Sequence, residues 1–256
     1  MARSIKPDGV VFYRGPSILD GQPIVAIATG LRRGSDNSKT GDMVQTYIMR
    51  EDMPPCDALQ TGDDRSVCGD CPLRGIIVNG RNKQRACYVS VFMAPQSVWK
   101  AYDKGRYPIV TDLAEIFAKK LVRLGSYGDP AAVPLSVWEE LLSQTKGHTG
   151  YTHQWARFPE FASIVMASAD SKADRLRAKI LGFRTFRVTE LDTRKEGEKD
   201  KNEVACPASD EMGHKTDCKN CRACGGTSAK ARTDIVITVH GNAPKLDAFK
   251  ARKIAA

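Results

Sequence analysis

The stretch SKADRLRAKILGFRTFRVT, Ser171 to Thr189, reads as one helix, one stop and one strand. Ser171 with Asp174 three residues on is a capping-box pattern, in which the serine oxygen takes a free N–H of the first turn. Gly182 supplies the stop after Leu181. FRTFRVT then alternates aromatic and β-branched residues with cations, as a strand does. Further on, DIVITVH (234–240) is strongly β-branched, and a short basic helix follows at 245–254.

The same alternation extends back toward the N-terminus. GYTHQW (150–155) and ASIVMAS (162–168) are strand candidates. Ser136 and Glu139 form a capping box opening a helix with Trp138, Leu141 and Leu142 on its apolar side. LVRLGSYGD (121–129) is a strand running into a glycine turn. Before it, Leu113, Ile116, Phe117 and Leu121 share one face of an amphipathic helix. Strand–helix alternation predicts an α/β fold with a mainly parallel sheet, open or rolled into a partial barrel. Three more strands are expected over 10–51, in VVFYRG, PIVAIATG and MVQTYIMR. After Cys87, YVSVF is strand-like, and APQSVWKAYDKG is a short helix ended by Gly105. The expected organisation is one α/β domain over 1–256, with two cysteine-rich metal-binding excursions at 56–87 and 206–226.

Those excursions carry the chemistry. CPASDEMGHKTDCKNCRACGG, Cys206 to Gly226, spaces Cys218, Cys221 and Cys224 two residues apart, with Cys206 upstream. A C-x2-C turn lets two thiolates face one ion while nearby amides donate to the sulfurs. Cys56, Cys68 and Cys71 repeat the C-x11-C-x2-C phrase, and Cys87 follows as a fourth. Little else is shared between the two copies, which argues against an internal duplication. Two metal centres of four cysteines each are expected. Zinc and [4Fe–4S] both fit the Cys56/Cys68/Cys71/Cys87 set. At Cys206/Cys218/Cys221/Cys224 the ferredoxin-like run with a remote Cys206-Pro207 leans toward [4Fe–4S] over zinc. Either centre, closed by four thiolates, is structural, redox-sensing or electron-transferring rather than substrate-binding.

No apolar run approaches a membrane span, and MARSIKPDGVVFYRG lacks the apolar core of a signal peptide. A reducing, cytoplasmic setting is expected, in which clustered cysteines are ligands rather than disulfides. The formal charge of +9 falls to about +5 once two centres of charge −2 are included. Basic residues gather at Lys172, Arg175, Arg177, Lys179, Arg184 and Arg187, and again between Lys215 and Lys253. Around the second cysteine run, Lys215, Lys219, Arg222, Lys230 and Arg232 are candidate nucleic-acid contacts. GLRRGSDNSKTGD (30–42) is not a P-loop, because Ser38 stands where glycine must precede the lysine. In a parallel sheet, polar groups beyond the strand ends would share a rim. Ser126, Asp129, His153 and His240 are the catalytic candidates there, with Asp129 and His153 as base and acid.

Asn37-Ser38-Lys39-Thr40-Gly41, Ala86-Cys87-Tyr88, Arg123–Asp129 and CPAS…KTDCKNCRACGG…IVITVHG together resemble the motif order of the phage "gene eighty-eight" family, over residues 20–243. The resemblance implies a bacteriophage origin, a host cytoplasm and a metal-bearing α/β scaffold, without a reaction. It also suggests a barrel distantly similar to radical S-adenosylmethionine enzymes. This chain lacks their C-x3-C-x2-C. That chemistry requires Cys56 or Cys87 to stay off the cluster. Three functions follow as expectations: a metal-binding accessory protein that associates with or modifies nucleic acid, an iron–sulfur enzyme acting on a small molecule or nucleobase, and a zinc-stabilised scaffold or host-interaction protein.

Overall fold

The computed structural model describes residues 7–34, 37–195 and 197–254, with the side chains of Lys253 and Ile254 outside that description. The sequence readings on 1–6, on Ser35 and Asp36 and on Lys253 therefore lie outside the described residues.

Strands β1 (Gly9–Pro16), β2 (Pro23–Thr29) and β3 (Val44–Arg50) open the chain. The first cysteine segment follows, with helices α1 (Pro55–Thr61) and α2 (Arg65–Cys68) and a hairpin of β4 (Ile76–Val78) and β5 (Arg81–Lys83). Next come α3 (Ala94–Asp103), α4 (Leu113–Ile116), β6 (Leu121–Tyr127), α5 (Leu135–Leu142), β7 (Gly147–Thr149) and β8 (Tyr151–Thr152). The last third holds β9 (Met166–Ala169), α6 (Lys172–Ile180), β10 (Thr185–Thr189), β11 (Glu203–Ala205), α7 (Cys218–Cys221), β12 (Asp234–Thr238) and α8 (Ala243–Ile254).

Two five-stranded sheets result, in orders β1-β2-β3-β6-β7 and β11-β12-β10-β9-β8. The second is parallel throughout. The first is mixed: β1, β2 and β3 pair antiparallel, and only β3-β6-β7 run parallel. The expectation of a mainly parallel sheet thus holds for one sheet and is corrected for the other. The β1–β2 connection explains why. It spans only Ser17–Gln22, enough for a hairpin and too short for the crossover a parallel pair needs. Every residue of β3 is buried, its polar Gln45, Thr46 and Arg50 included. Among the described residues the strands do not close into a barrel.

One extended segment serves both sheets. β7 pairs with β6, β8 pairs with β9, and Gly150 alone separates them. The Gly150 N–H donates to the Cys224 carbonyl at 3.0 Å, while its own carbonyl accepts from Met166 N at 3.0 Å. A Cβ there would stand 2.9 Å from Val165 Cγ1 and 3.0 Å from Leu124 Cβ, so the close approach requires glycine. The seam is thereby tied to the second cysteine segment. The main apolar core fills the first sheet and reaches Ala178 and Phe183. A smaller core around Met166, Ile235 and Ile237 includes Cys206 and Cys224.

Local expectations were met unevenly. The Ser171 cap forms, its Oγ accepting from Asp174 N at 3.0 Å. Ser136 is not a cap, because Pro134 occupies that place and the helix starts at Leu135. The helix expected through Leu121 stops at Ile116. Lys119 then takes a positive φ of 62° and Leu121 enters β6. YVSVF is not a strand, since Val91–Met93 turn into α3.

Candidate metal centres and rim

The second cysteine set shares a cavity. Cys206, Cys218, Cys221 and Cys224 line one partly open cavity of ≈ 20 Å³, together with Thr149, Tyr151, Phe186 and Ile235. α7 places Cys218 and Cys221 one turn apart, and Asp217 caps it by accepting from Asn220 N at 2.8 Å. Arg222 then adopts a left-handed φ of 51°, which turns the chain so that Cys224 faces back. The Cys218 N–H donates to the Lys39 carbonyl at 2.9 Å, which docks the loop at 37–41 on this site.

Burial pushes the Cys224 thiol up to about 12, with the neighbouring Tyr151 hydroxyl pulling the other way. Burial also raises Cys206 and Cys218. Opposing it, the Ala208 N–H favours the Cys206 thiolate, and Arg123 and Lys39 favour that of Cys218. Thiols raised in this way are protonated at neutral pH, so an incoming ion must displace their protons. Thr149 Oγ1 is buried at the same cavity without a hydrogen-bond partner.

Arg184, which the charge pattern placed in a basic patch, organises this segment instead. Its buried guanidinium donates to the carbonyls of Ala223 (2.8 Å), Gly226 (2.9 Å) and Thr233. Gly226 has φ 63°, and a Cβ on it would lie 2.7 Å from the Ala162 carbonyl oxygen. Gly226→Ala is therefore expected to destabilise the protein by about 2–4 kcal/mol, through left-handed strain plus a backbone clash. Urea unfolding measures it, and a loss under about 0.5 kcal/mol would contradict this close packing.

The first set is less regular. Burial pushes the Cys68 thiol well up, and neighbouring Asp64, Cys71, Cys87 and Asp129 push it further. Burial raises Cys87 too, while Arg85 and the Val89 N–H act against it. Cys56 differs. Its charged neighbours are Asp57 and Lys100 rather than any other cysteine, and its N–H donates to Gln96 Oε1 at 3.2 Å. Cys68 thus has Cys71 and Cys87 among its charged neighbours, and Cys56 has no cysteine among its own. Among the described residues, and in both cysteine segments, no group of three or more Cys, His, Asp or Glu side chains is placed so that it could hold a metal ion.

The rim candidates divide. Asp129 and His153 do meet, but through the His153 backbone N–H, which donates to Asp129 Oδ2 at 2.8 Å. Thr152 Oγ1 (2.7 Å) and Ala131 N (3.0 Å) donate to Asp129 Oδ1. That carboxylate is a buried structural acceptor, not the base partner of the imidazole. The imidazole lies instead by Cys71 and by Asp170, with Nε2 3.5 Å from Asp170 Oδ2. Burial opposes its charged form, but these two neighbours outweigh burial and raise its pKa well above the ordinary value. Ser126 is elsewhere, donating to Gln45 Oε1 at 2.6 Å, and His240 is exposed with its ring 5.8 Å from that of Tyr88.

Arg123 stands between the two cysteine sites. It donates to Tyr88 Oη at 3.1 Å and lies 5.4 Å from the centre of the Tyr151 ring. Burial works against its charge, yet Tyr88, Tyr151 and Cys218 outweigh it and hold its pKa above the usual value. Composition offered no signal for Arg123 or Arg184, because only the fold shows what each cation faces.

The basic clusters are largely neutralised. Arg175 and Lys179 meet Asp234 at 2.7 and 2.9 Å, Arg187 meets Glu203 at 2.6 Å, and Lys172 meets Asp200 at 2.8 Å. Arg177 pairs with Asp174 at 2.6 Å. Of the five candidate nucleic-acid contacts, Lys219 pairs with Asp42 at 2.9 Å, and Arg232 donates to the Thr227 and Ala229 carbonyls. Lys215, Arg222 and Lys230 are exposed. No helix among the described residues is long and apolar enough to cross a membrane. No protein-family model, curated protein or solved structure matches this chain.

Proposed function

We propose that this protein is a metal-built accessory protein whose C-terminal centre is a closed, single-ion site and whose exposed loop cations meet a nucleic-acid backbone. The carrying observation is the shared cavity of Cys206, Cys218, Cys221 and Cys224. Its ≈ 20 Å³ has room for about one water-sized occupant. A closed shell of four thiolates suits a single zinc ion with sulfurs at about 2.3 Å, with a [4Fe–4S] cluster as the alternative occupant. The four thiolates would hold the ion and leave no open position, so the centre's work is to fix the loop against Gly150 and the sheet seam. A phage origin, drawn from the motif resemblance, suits an accessory role in a host cytoplasm.

The nucleic-acid surface is narrower than the charge count suggests and centres on Lys215, Arg222 and Lys230. Arg222→Glu with Lys230→Glu is expected to weaken DNA or RNA binding several-fold. It should also lower the salt slope by roughly 2, if each cation neutralises one phosphate. Metal content should not change. Titrations across a salt series decide this, and equal binding by parent and variant removes the nucleic-acid role in favour of a zinc-stabilised scaffold.

A second reading, an iron–sulfur enzyme acting on a small molecule or nucleobase, has one observation behind it. With Cys56 set apart, the first centre offers three neighbouring thiols beside the His153–Asp170 pair. Iron, zinc and sulfide measured on one anaerobic sample separate the two readings. Equimolar iron and sulfide would favour the enzyme.

A further inference from the structure

We propose that the β4–β5 hairpin enters the major groove of duplex DNA, with Arg81 and Lys83 on the phosphates and Ile76 and Val78 against the base edges. This rests on the reading that the protein meets nucleic acid, and it names the form of nucleic acid and a second element that touches it.

The hairpin is exposed yet held in one shape. Asn79 and Gly80 take left-handed φ angles of 50° and 69°, the pair that a tight two-residue turn demands. The register sets Ile76 opposite Lys83, Ile77 opposite Asn82 and Val78 opposite Arg81. Residues paired across strands share a face, and successive pairs alternate between faces. The Ile77–Asn82 face is docked on the helix α1 region. Asn82 Nδ2 donates to the Leu59 carbonyl at 3.1 Å, and a Cβ on Gly62 would stand 2.9 Å from Ile77 Cγ1. At the base of the hairpin, Arg74 Nη2 donates to the Gly62 carbonyl at 2.5 Å. Gly75 has φ 90°, and a Cβ on it would lie 2.4 Å from Asn82 Oδ1, so this corner requires glycine.

The opposite face carries Ile76, Val78, Arg81 and Lys83. All four are exposed, Ile76 by 52% and Val78 by 41%. Apolar side chains presented to water on a rigid ribbon mark an interaction surface. Among the described residues, neither Arg81 nor Lys83 pairs with a carboxylate. The surrounding sequence is equally one-sided. Residues 71–102 hold Arg74, Arg81, Lys83, Arg85 and Lys100, and no Asp or Glu. That charge matches a polyanion, whereas a second copy of the chain would set cations against cations. Dimensions agree with a duplex. Three residues per strand extend about 10 Å. The major groove of B-DNA, about 12 Å wide, admits a two-stranded ribbon, and its thymine methyl groups offer apolar contact to side chains such as Ile76 and Val78.

The test titrates the full chain with a mixed-sequence DNA duplex, with one of its separated strands, and with phosphatidylserine–phosphatidylcholine vesicles, each across a salt series. Arg81→Ala with Lys83→Ala should weaken duplex binding several-fold and lower the salt slope by roughly 2. Ile76→Ser with Val78→Ser should weaken it several-fold at an unchanged slope. Both variants alter only exposed side chains, so each is expected to keep the parental Tm. Parental duplex binding by both hairpin variants, beside weakened binding by Arg222→Glu with Lys230→Glu, would overturn the hairpin assignment alone. Equal affinity of the parent for duplex and single strand would overturn the groove. Hairpin variants that lose only vesicle binding would replace DNA with an anionic membrane surface. A parent that binds neither duplex nor strand removes the nucleic-acid reading itself, a failure distinct from a wrong contact element.

Discussion

Cys224→Ser is expected to cut bound metal from two equivalents to one and to lower Tm by roughly 10 °C. Cys224 is buried in the small core with Cys206, Ile235 and Ile237, and its carbonyl accepts the Gly150 N–H at the sheet seam. If the four thiolates hold one ion as proposed, removing one opens the shell, and the ion's contribution to folding is lost with it. Structural zinc supplies apparent free energies of about 10–16 kcal/mol in small zinc domains. This chain has a separate large core around β2 and β3, so only part of that energy bears on global stability. A loss of about 4 kcal/mol corresponds to roughly 8–16 °C at this chain length. Metal analysis beside calorimetry tests it. A variant with two equivalents and parental Tm would show that these four cysteines do not share an ion. Cys218→Ser and Cys221→Ser should behave alike, since both line the same cavity.

Asp234→Ala should destabilise the protein by about 3–5 kcal/mol while leaving metal content intact, because it strips a buried cation of its partner. Asp234 begins β12, and its side chain is wholly buried. Oδ2 accepts from Arg175 Nη2 at 2.7 Å and Lys179 Nζ at 2.9 Å, and Oδ1 accepts from Thr185 N at 3.0 Å. Glu203 also faces Arg175, at 3.3 Å, but its carboxylate is already paired with Arg187. Urea unfolding of parent, Asp234→Ala and Arg175→Met/Asp234→Leu separates the causes. The double variant removes both charges and should recover much of the loss, as apolar replacements of buried pairs often do. A single-variant loss below about 1 kcal/mol would mean that water reaches Arg175.

This network bears on function as well as stability. Six cations gather between Lys172 and Arg187, a concentration that permits phosphate binding without demanding it. Five meet carboxylates, and Arg184 meets carbonyls. The nucleic-acid proposal therefore rests on exposed Lys215, Arg222 and Lys230 rather than on the charge of α6.

Local order was legible from residue order alone. Period-two runs of β-branched residues marked β2, β3 and β12, and Ser171 with Gly182 bounded α6, because a cap and a stop act within a few residues of themselves. The cysteine spacing likewise marked candidate ligands, since C-x2-C is a local chelating pattern. Strand direction was not legible. A period of two is the same in parallel and antiparallel neighbours, and β1–β3 proved antiparallel. Nor were the neighbours of each cysteine and histidine. Cys56 repeats the spacing of Cys206, yet α1 carries it toward Lys100, while the sheet rim brings His153 to Asp129 and Asp170. What each cation faces was equally hidden, as Arg123 and Arg184 show. Spacing and periodicity are properties of a few consecutive residues, whereas thiol grouping and charge pairing depend on which distant segments packing brings together.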